Sequence, residues 1–217
     1  MVGARHDVPP RRDAPLRGDA SPRGDVPLQE GPAGYSVFMV RAHLRDIPQV
    51  AFPEGFGIRG MRPGEGTLWT NIQRDAEPYF PIEDTLFQRE FGYDLPATER
   101  RCFVVTNSDA VGVGVISAWY PRDPRWEGYG MVHWVAVRPA YQGRGLGKAM
   151  MTFTLNQLSQ WHDRAFLGTQ TKRLGAIKLY LDFGFVPDLE PPGAKAAWRT
   201  VQSQLKHAVL DAMDLGG

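Results

Sequence analysis

The sequence predicts an α/β (α+β) fold, a mixed sheet with helices on its faces and one extra helix at the C-terminal end. Three observations predict it. β-rich and helix-periodic segments alternate along the chain, Asn107-Ser108-Asp109 joins two β-rich runs as a hairpin would, and residues 194–213 carry their own apolar stripe.

The elements follow in order. Residues 55–61 form a short strand candidate. The Arg62-Pro63-Gly64-Glu65-Gly66 turn leads into a helix over 67–76, and 82–91 is a second helical stretch with Leu86 and Phe87 inward. Residues 101–106 and 110–120 are β-rich, and 131–137 is another strand. Residues 144–161 carry a broad apolar stripe through Leu146, Met150, Phe153, Leu158 and Trp161, which is helical spacing. A strand over 165–169, a helix over 174–183 and a last short strand at Gly184-Phe185-Val186-Pro187 come next. In the final helix Trp198, Val201, Leu205, Val209 and Met213 recur at spacings of three and four. That stripe has to bury, either on the sheet or in a homodimer; the sheet is the favoured reading.

Composition bounds the function. The chain has 217 residues, enough for one sizeable core, with 42 % apolar and 23 % charged residues. A net charge of +1 supplies no basic field for nucleic acid. Cys102 is the lone cysteine, so no intrachain disulfide forms, which fits a reducing compartment. No apolar run is long enough to span a bilayer, and the N-terminal region lacks a signal-peptide pattern. The expectation is a cytoplasmic protein without membrane or nucleic-acid partners. Residues 1–34 read as a low-complexity tail, with six-residue units beginning at Asp7, Asp13, Asp19 and Asp25. Proline breaks regular structure there and little apolar bulk is present, so the tail is expected to be disordered. The two Arg-Gly-Asp tripeptides at 17–19 and 23–25 read as by-products of this repeat.

The chemistry begins at Gln142-Gly143-Arg144-Gly145-Leu146-Gly147-Lys148. Glycine is a poor helix former, and basic residues oppose the dipole at a helix N-terminus. Both oddities disappear if an anion sits there, because free N–H groups point outward and glycine lets a phosphate approach the backbone. Arg144 and Lys148 are four apart and would share a helical face around that anion. A nucleoside-triphosphate loop is excluded by Gln142 and Ala149, where glycine and a hydroxyl residue are needed. A dinucleotide fingerprint is excluded by Lys148 in place of its third glycine.

What does fit, after the strand Val132-His133-Trp134-Val135-Ala136-Val137, is the acetyl-CoA loop of the GNAT family of N-acetyltransferases, within the acyl-CoA N-acyltransferase superfamily. The segment resembles that family's Gln/Arg-x-x-Gly-x-Gly/Ala pattern. A second segment, 173–187, resembles the family's later helix and its Tyr-x-x-x-Gly-Phe ending in Tyr180, Gly184 and Phe185. The resemblance covers residues 55–187 and implies a mostly antiparallel GNAT sheet over 35–190, with 191–217 as a helical extension. It implies that the strand before the loop splays from its neighbour. The backbone of Val135, Ala136 and Val137 would then pair with pantetheine, and the N–H groups from Gln142 to Lys148 would hold the pyrophosphate. Many members have Asn where this chain has Arg173; Arg173 reaching a phosphate is the alternative.

The implied reaction is transfer of an acetyl group from acetyl-CoA to a primary amine, expected to belong to a small molecule. Deprotonating an alkylammonium at neutral pH costs roughly 4 kcal/mol, so a base matters more than an acid. The resemblance places the acid at Tyr180. His133 is the base candidate, because imidazole titrates near neutrality and alternation puts it on the same side as Val135 and Val137. Glu127 is a weaker substitute, and water alone remains open. His162 and His207 read as peripheral, and no metal is expected because no Cys, His and acid cluster has ligand spacing. The acceptor pocket is expected from 69–91 and 121–130, with Glu77, Glu83 and Asp84 as candidates to attract a cationic amine. A non-catalytic acyl-CoA-binding domain, or acetylation of a protein amine, are the alternatives.

Overall fold

The computed structural model describes Leu28 and residues 30–215. Residues 1–27 of the expected disordered tail lie outside the described residues, but its end is described: Glu30–Gly31 is a strand, so ordered structure begins before residue 35. The described chain opens with β1 (Glu30–Gly31) and β2 (Gly34–Arg41), then β3 (Phe56–Gly60), α1 (Gly66–Ala76), α2 (Leu86–Phe91) and α3 (Leu95–Arg101). It continues through β4 (Cys102–Asn107), β5 (Gly112–Trp119), β6 (Tyr129–Val137), α4 (Leu146–Leu158) and β7 (Arg164–Gln170). It closes with α5 (Leu174–Asp182), β8 (Val186–Pro187), α6 (Ala194–Gln202) and α7 (Ala208–Asp211).

One sheet runs in the order β1-β2-β7-β6-β5-β4-β3, with β8 also pairing with β2. Every pairing is antiparallel except that of β6 with β7. The sheet is therefore mixed and mostly antiparallel. A core lies on each face. One gathers α4, α5 and α6 through Met150, Ile177 and Trp198, and the other gathers α1, α2 and α3 through Trp69, Phe91 and Ala97.

Besides β1, three elements differ from the sequence reading. β2 is an eight-residue strand where none is predicted. Its run Val37-Phe38-Met39-Val40 is continuous rather than alternating, and such a short run carries no periodic signal. α3, also unpredicted, begins at Leu95 with Pro96 in its first turn, under an Asp94 cap whose carboxylate accepts from the Ala97 N–H at 3.2 Å. The final helix is broken into α6 and α7. Between them His207 turns its ring to Asp182 on α5 (3.4 Å), and its Nδ1 accepts from the Val209 N–H at 3.2 Å. The apolar stripe still buries on the sheet side: Trp198, Val201 and Leu210 are fully enclosed in the same core as β2 and α4. Among the described residues no helix is long and apolar enough to cross a membrane.

Candidate active site

The site begins where β6 and β7 part. They pair only at Tyr129 with Arg164, Gly130 with Ala165 and Met131 with Phe166. Beyond that point β7 pairs with β2 alone and β6 with β5 alone. The wedge between them is a cleft of about 350 Å³, walled by Val132 to Ala136 on one side, Gly168 to Gln170 on the other, and Tyr180 from α5.

A bulge in β6 turns this wall. Ser117 pairs with His133 but Val115 with Ala136, so Ile116 alone faces Trp134 and Val135. Trp134 has φ +50, a left-handed conformation that costs a bulky L-residue about 1–3 kcal/mol. Two partly buried contacts hold it. Gln73 Nε2 donates to the Trp134 carbonyl, and the indole Nε1 donates to Glu90 Oε2, each at 3.0 Å.

The bulge overturns the alternation used to place His133. Val135 and Val137 pack toward the core of α4 and α5. His133 lies on the other face, its ring edge-on to Phe91 at 5.7 Å. There its Nε2 is 3.3 Å from Glu90 Oε2. The hydrogen bond with His133, helped by that from Trp134 and by Arg89, holds the Glu90 carboxyl below the usual carboxylate range against the opposing effect of burial. Glu90 is absent from the sequence reading, since one acid on an exposed-looking helix carries no signal of its own.

Val135 and Ala136 line the cleft, and Val137 does not. The Val137 carbonyl accepts from Gln142 Nε2 at 2.9 Å, so that side chain ties down the strand end.

The loop after β6 is built by glycines with separate tasks. Gly143 (φ +73) and Gly145 (φ +83) take left-handed conformations, and Gly145 caps α4. The space over Gly143 is open, and a Cβ on Gly145 would meet only Pro53 at 4.0 Å. Gly147 serves packing instead, since a Cβ there would lie 3.1 Å from Leu179 on α5. The Gln142 N–H donates to Pro139 (3.2 Å) and the Lys148 N–H to Gly145 (3.1 Å). The outward N–H groups are thus those of residues 143–147, with Leu146 the first helical residue. Arg144 precedes the helix, so it does not share a helical face with Lys148. Its guanidinium donates to the Ala140 carbonyl at 3.1 Å and stands over the Tyr141 ring.

Tyr180 is 7 % exposed at the cleft wall. Burial pushes its phenol up to about 12, with Arg173 acting weakly the other way. Arg173 itself is engaged: it donates to Gln170 Oε1 and meets Glu77 Oε2 at 2.6 Å. The Glu77 carboxylate, 6 % exposed, is therefore neutralised by Arg173. Glu83 pairs with Arg89, and Asp84, 94 % exposed, with Arg74, both away from the cleft. Glu127 lines neither this cleft nor the cavity described next. His162 is a half-buried ring packed under Gly130, and burial lowers its basicity. Among the described residues no group of three or more His, Cys, Asp and Glu could hold a metal ion.

A second cavity of about 250 Å³ adjoins the cleft. Glu90 and Tyr93 form one wall, Trp119 and Tyr120 another, and Arg122 and Trp126 come from the β5–β6 loop. Phe38, Met131 and His133 line both spaces. The pair His133–Glu90 thus stands where the two meet.

Comparison with known proteins comes to the same region. The model of the acetyltransferase (GNAT) family matches residues 68–185. The mycothiol acetyltransferase of Streptomyces coelicolor is 28 % identical over 163 residues, covering 70 % of this chain and 52 % of its own. That of Pseudarthrobacter chlorophenolicus is 28 % identical over 147 residues, covering 64 % and 45 %. The chain thus spans about half the length of the curated relatives it matches. Among solved structures, a GCN5-related N-acetyltransferase from Sphaerobacter thermophilus superposes with a TM-score of 0.56 at 19 % identity, over 70 % of this chain and 48 % of its own. That likeness concerns the fold.

Proposed function

The chain belongs to the acetyltransferase (GNAT) family, and on that premise we propose that it transfers an acetyl group from acetyl-CoA to a primary amine of a small molecule. The observation that carries this reading is the parting of β6 from β7 beyond Met131, immediately before the glycine-turned N-terminus of α4. Relatives named as acetyltransferases support it, and a cavity of about 250 Å³ suits a small acceptor.

The residues fit acetyl-CoA. The backbone of Val135 and Ala136 offers unpaired groups to an amide-bearing arm, while the N–H groups of residues 143–147 and the dipole of α4 suit a diphosphate. Bound there, acetyl-CoA supplies the acetyl group as a thioester. Glu90 accepts from His133 Nε2–H, which leaves Nδ1 as the ring nitrogen with a lone pair for the amine proton. Trp134 and Gln73 keep that imidazole in place by fixing the bulge beside it. Tyr180, kept protonated by burial, gives its proton at the phenol oxygen to the departing sulfur.

The test is release of free CoA thiol across a panel of primary amines. Turnover of one or more is expected. Binding of acetyl-CoA by calorimetry, with no thiol release across the panel, overturns transfer and leaves an acyl-CoA-binding domain.

A further inference from the structure

The second cavity carries opposite charges at its two ends. At the inner end is the Glu90 carboxylate, beside His133. Arg122 lines the outer part of the cavity, and Arg125, outside the lining, stands against two of its rings. The Arg122 guanidinium lies 4.3 Å from the centre of the Tyr93 ring. That of Arg125 lies 4.6 Å from the Phe38 ring and 4.4 Å from the Trp126 ring. All three rings line the cavity. Both arginines are exposed, and neither forms an ion pair among the described residues. The acid between them in sequence, Asp123, turns Oδ1 to the Arg125 backbone N–H at 2.9 Å. The nearby Asp94 carboxylate takes the Tyr120 hydroxyl.

Stacking on an aromatic face holds a guanidinium flat and leaves its N–H edge directed outward. Two guanidiniums held this way, with no acid among the described residues paired to them, suit a planar or tetrahedral oxyanion. The inner carboxylate suits the opposite charge. The geometry points to a dipolar acceptor: a primary amine that carries, on a short linker, a carboxylate or phosphate that Arg122 and Arg125 hold at the outer end. This assignment rests on the acetyl-transfer reading and names the acceptor class for it.

The experiment compares matched acceptors with the intact chain and acetyl-CoA, reading thiol release. β-Alanine is set against its amide, and phosphoethanolamine against ethanolamine. The acid-bearing partner of at least one pair is expected to have a kcat/KM about tenfold higher or more, carried by KM. The arm that shows it separates carboxylate from phosphate. In Arg122→Gln combined with Arg125→Gln the ratio is expected to fall to about one, and the double Lys variant to recover part of it. Equal rates within both pairs, or a ratio unchanged in the Gln variant, overturn the dipolar assignment while acetyl transfer stands. No turnover of any acceptor overturns both.

Discussion

The carboxylate of Glu90 lies 3.3 Å from Nε2 of His133, and the same oxygen takes the Trp134 indole N–H at 3.0 Å. One acid on α2 thus orients the base candidate and secures the strained bulge beside it.

If His133 takes the amine proton, His133→Ala lowers kcat by about 10²–10⁴ with little change in acetyl-CoA affinity. Glu90→Gln is milder, because an amide still contacts the ring but orients it less firmly than the carboxylate does. Thiol-release assays and calorimetry check both. Wild-type kcat in both variants removes the pair from catalysis.

Tyr180 stays protonated far above neutrality, since burial pushes its phenol up to about 12. Its folded value is above its unfolded one, so the neutral form persists as pH rises through the ordinary tyrosine range near 10. No alkaline fall in rate from this group is therefore expected up to about pH 10. Tyr180→Phe should lower kcat about tenfold or more at unchanged acetyl-CoA Kd. Wild-type turnover in that variant, with chemistry shown to be rate-limiting, excludes it as the acid.

Gly145 holds φ +83 at the mouth of α4, where a Cβ would meet only Pro53, at 4.0 Å. Gly145→Glu adds a negative charge where an anion is expected and strains the turn. Calorimetry should show acetyl-CoA binding weakened at least about tenfold, with the far-ultraviolet dichroism of the protein retained. Unchanged affinity moves the diphosphate elsewhere.

An ion pair pins the turn into α1. Arg59 grips Glu65 with two bonds, 2.8 and 2.7 Å, and Glu65 also accepts from the Arg62 N–H. The Arg59 bond holds the Glu65 carboxyl below its ordinary range. A depressed carboxyl stabilises the fold above the unfolded value and loses that contribution as pH falls through the folded one. Glu65→Gln should cost about 1 kcal/mol at neutral pH. Thermal melts between about pH 5 and pH 3 should then fall less steeply for the variant than for the parent.

The sequence shows the cofactor side of this site better than the acceptor side. The loop from Gln142 to Lys148 is legible because its glycines sit where L-residues pay for positive φ, and two of them do adopt it. The turn at Trp134 is invisible, because nothing about tryptophan announces a left-handed backbone; contacts from Gln73 and Glu90, distant in sequence, hold it there. One extra residue in β6 was enough to send His133 to the face opposite Val135. The break at His207 is hidden for a like reason, since the contact of its ring with Asp182, distant in sequence, interrupts a stripe that periodicity reads as continuous.

Phe38, Met131 and His133 line both spaces, whose remaining walls are separate. An enzyme on this plan has room for both reactants at once, and neither must leave before the other enters. Initial-rate lines at several fixed concentrations of the second reactant would then intersect instead of running parallel, and no acetylated protein would accumulate when the amine is withheld.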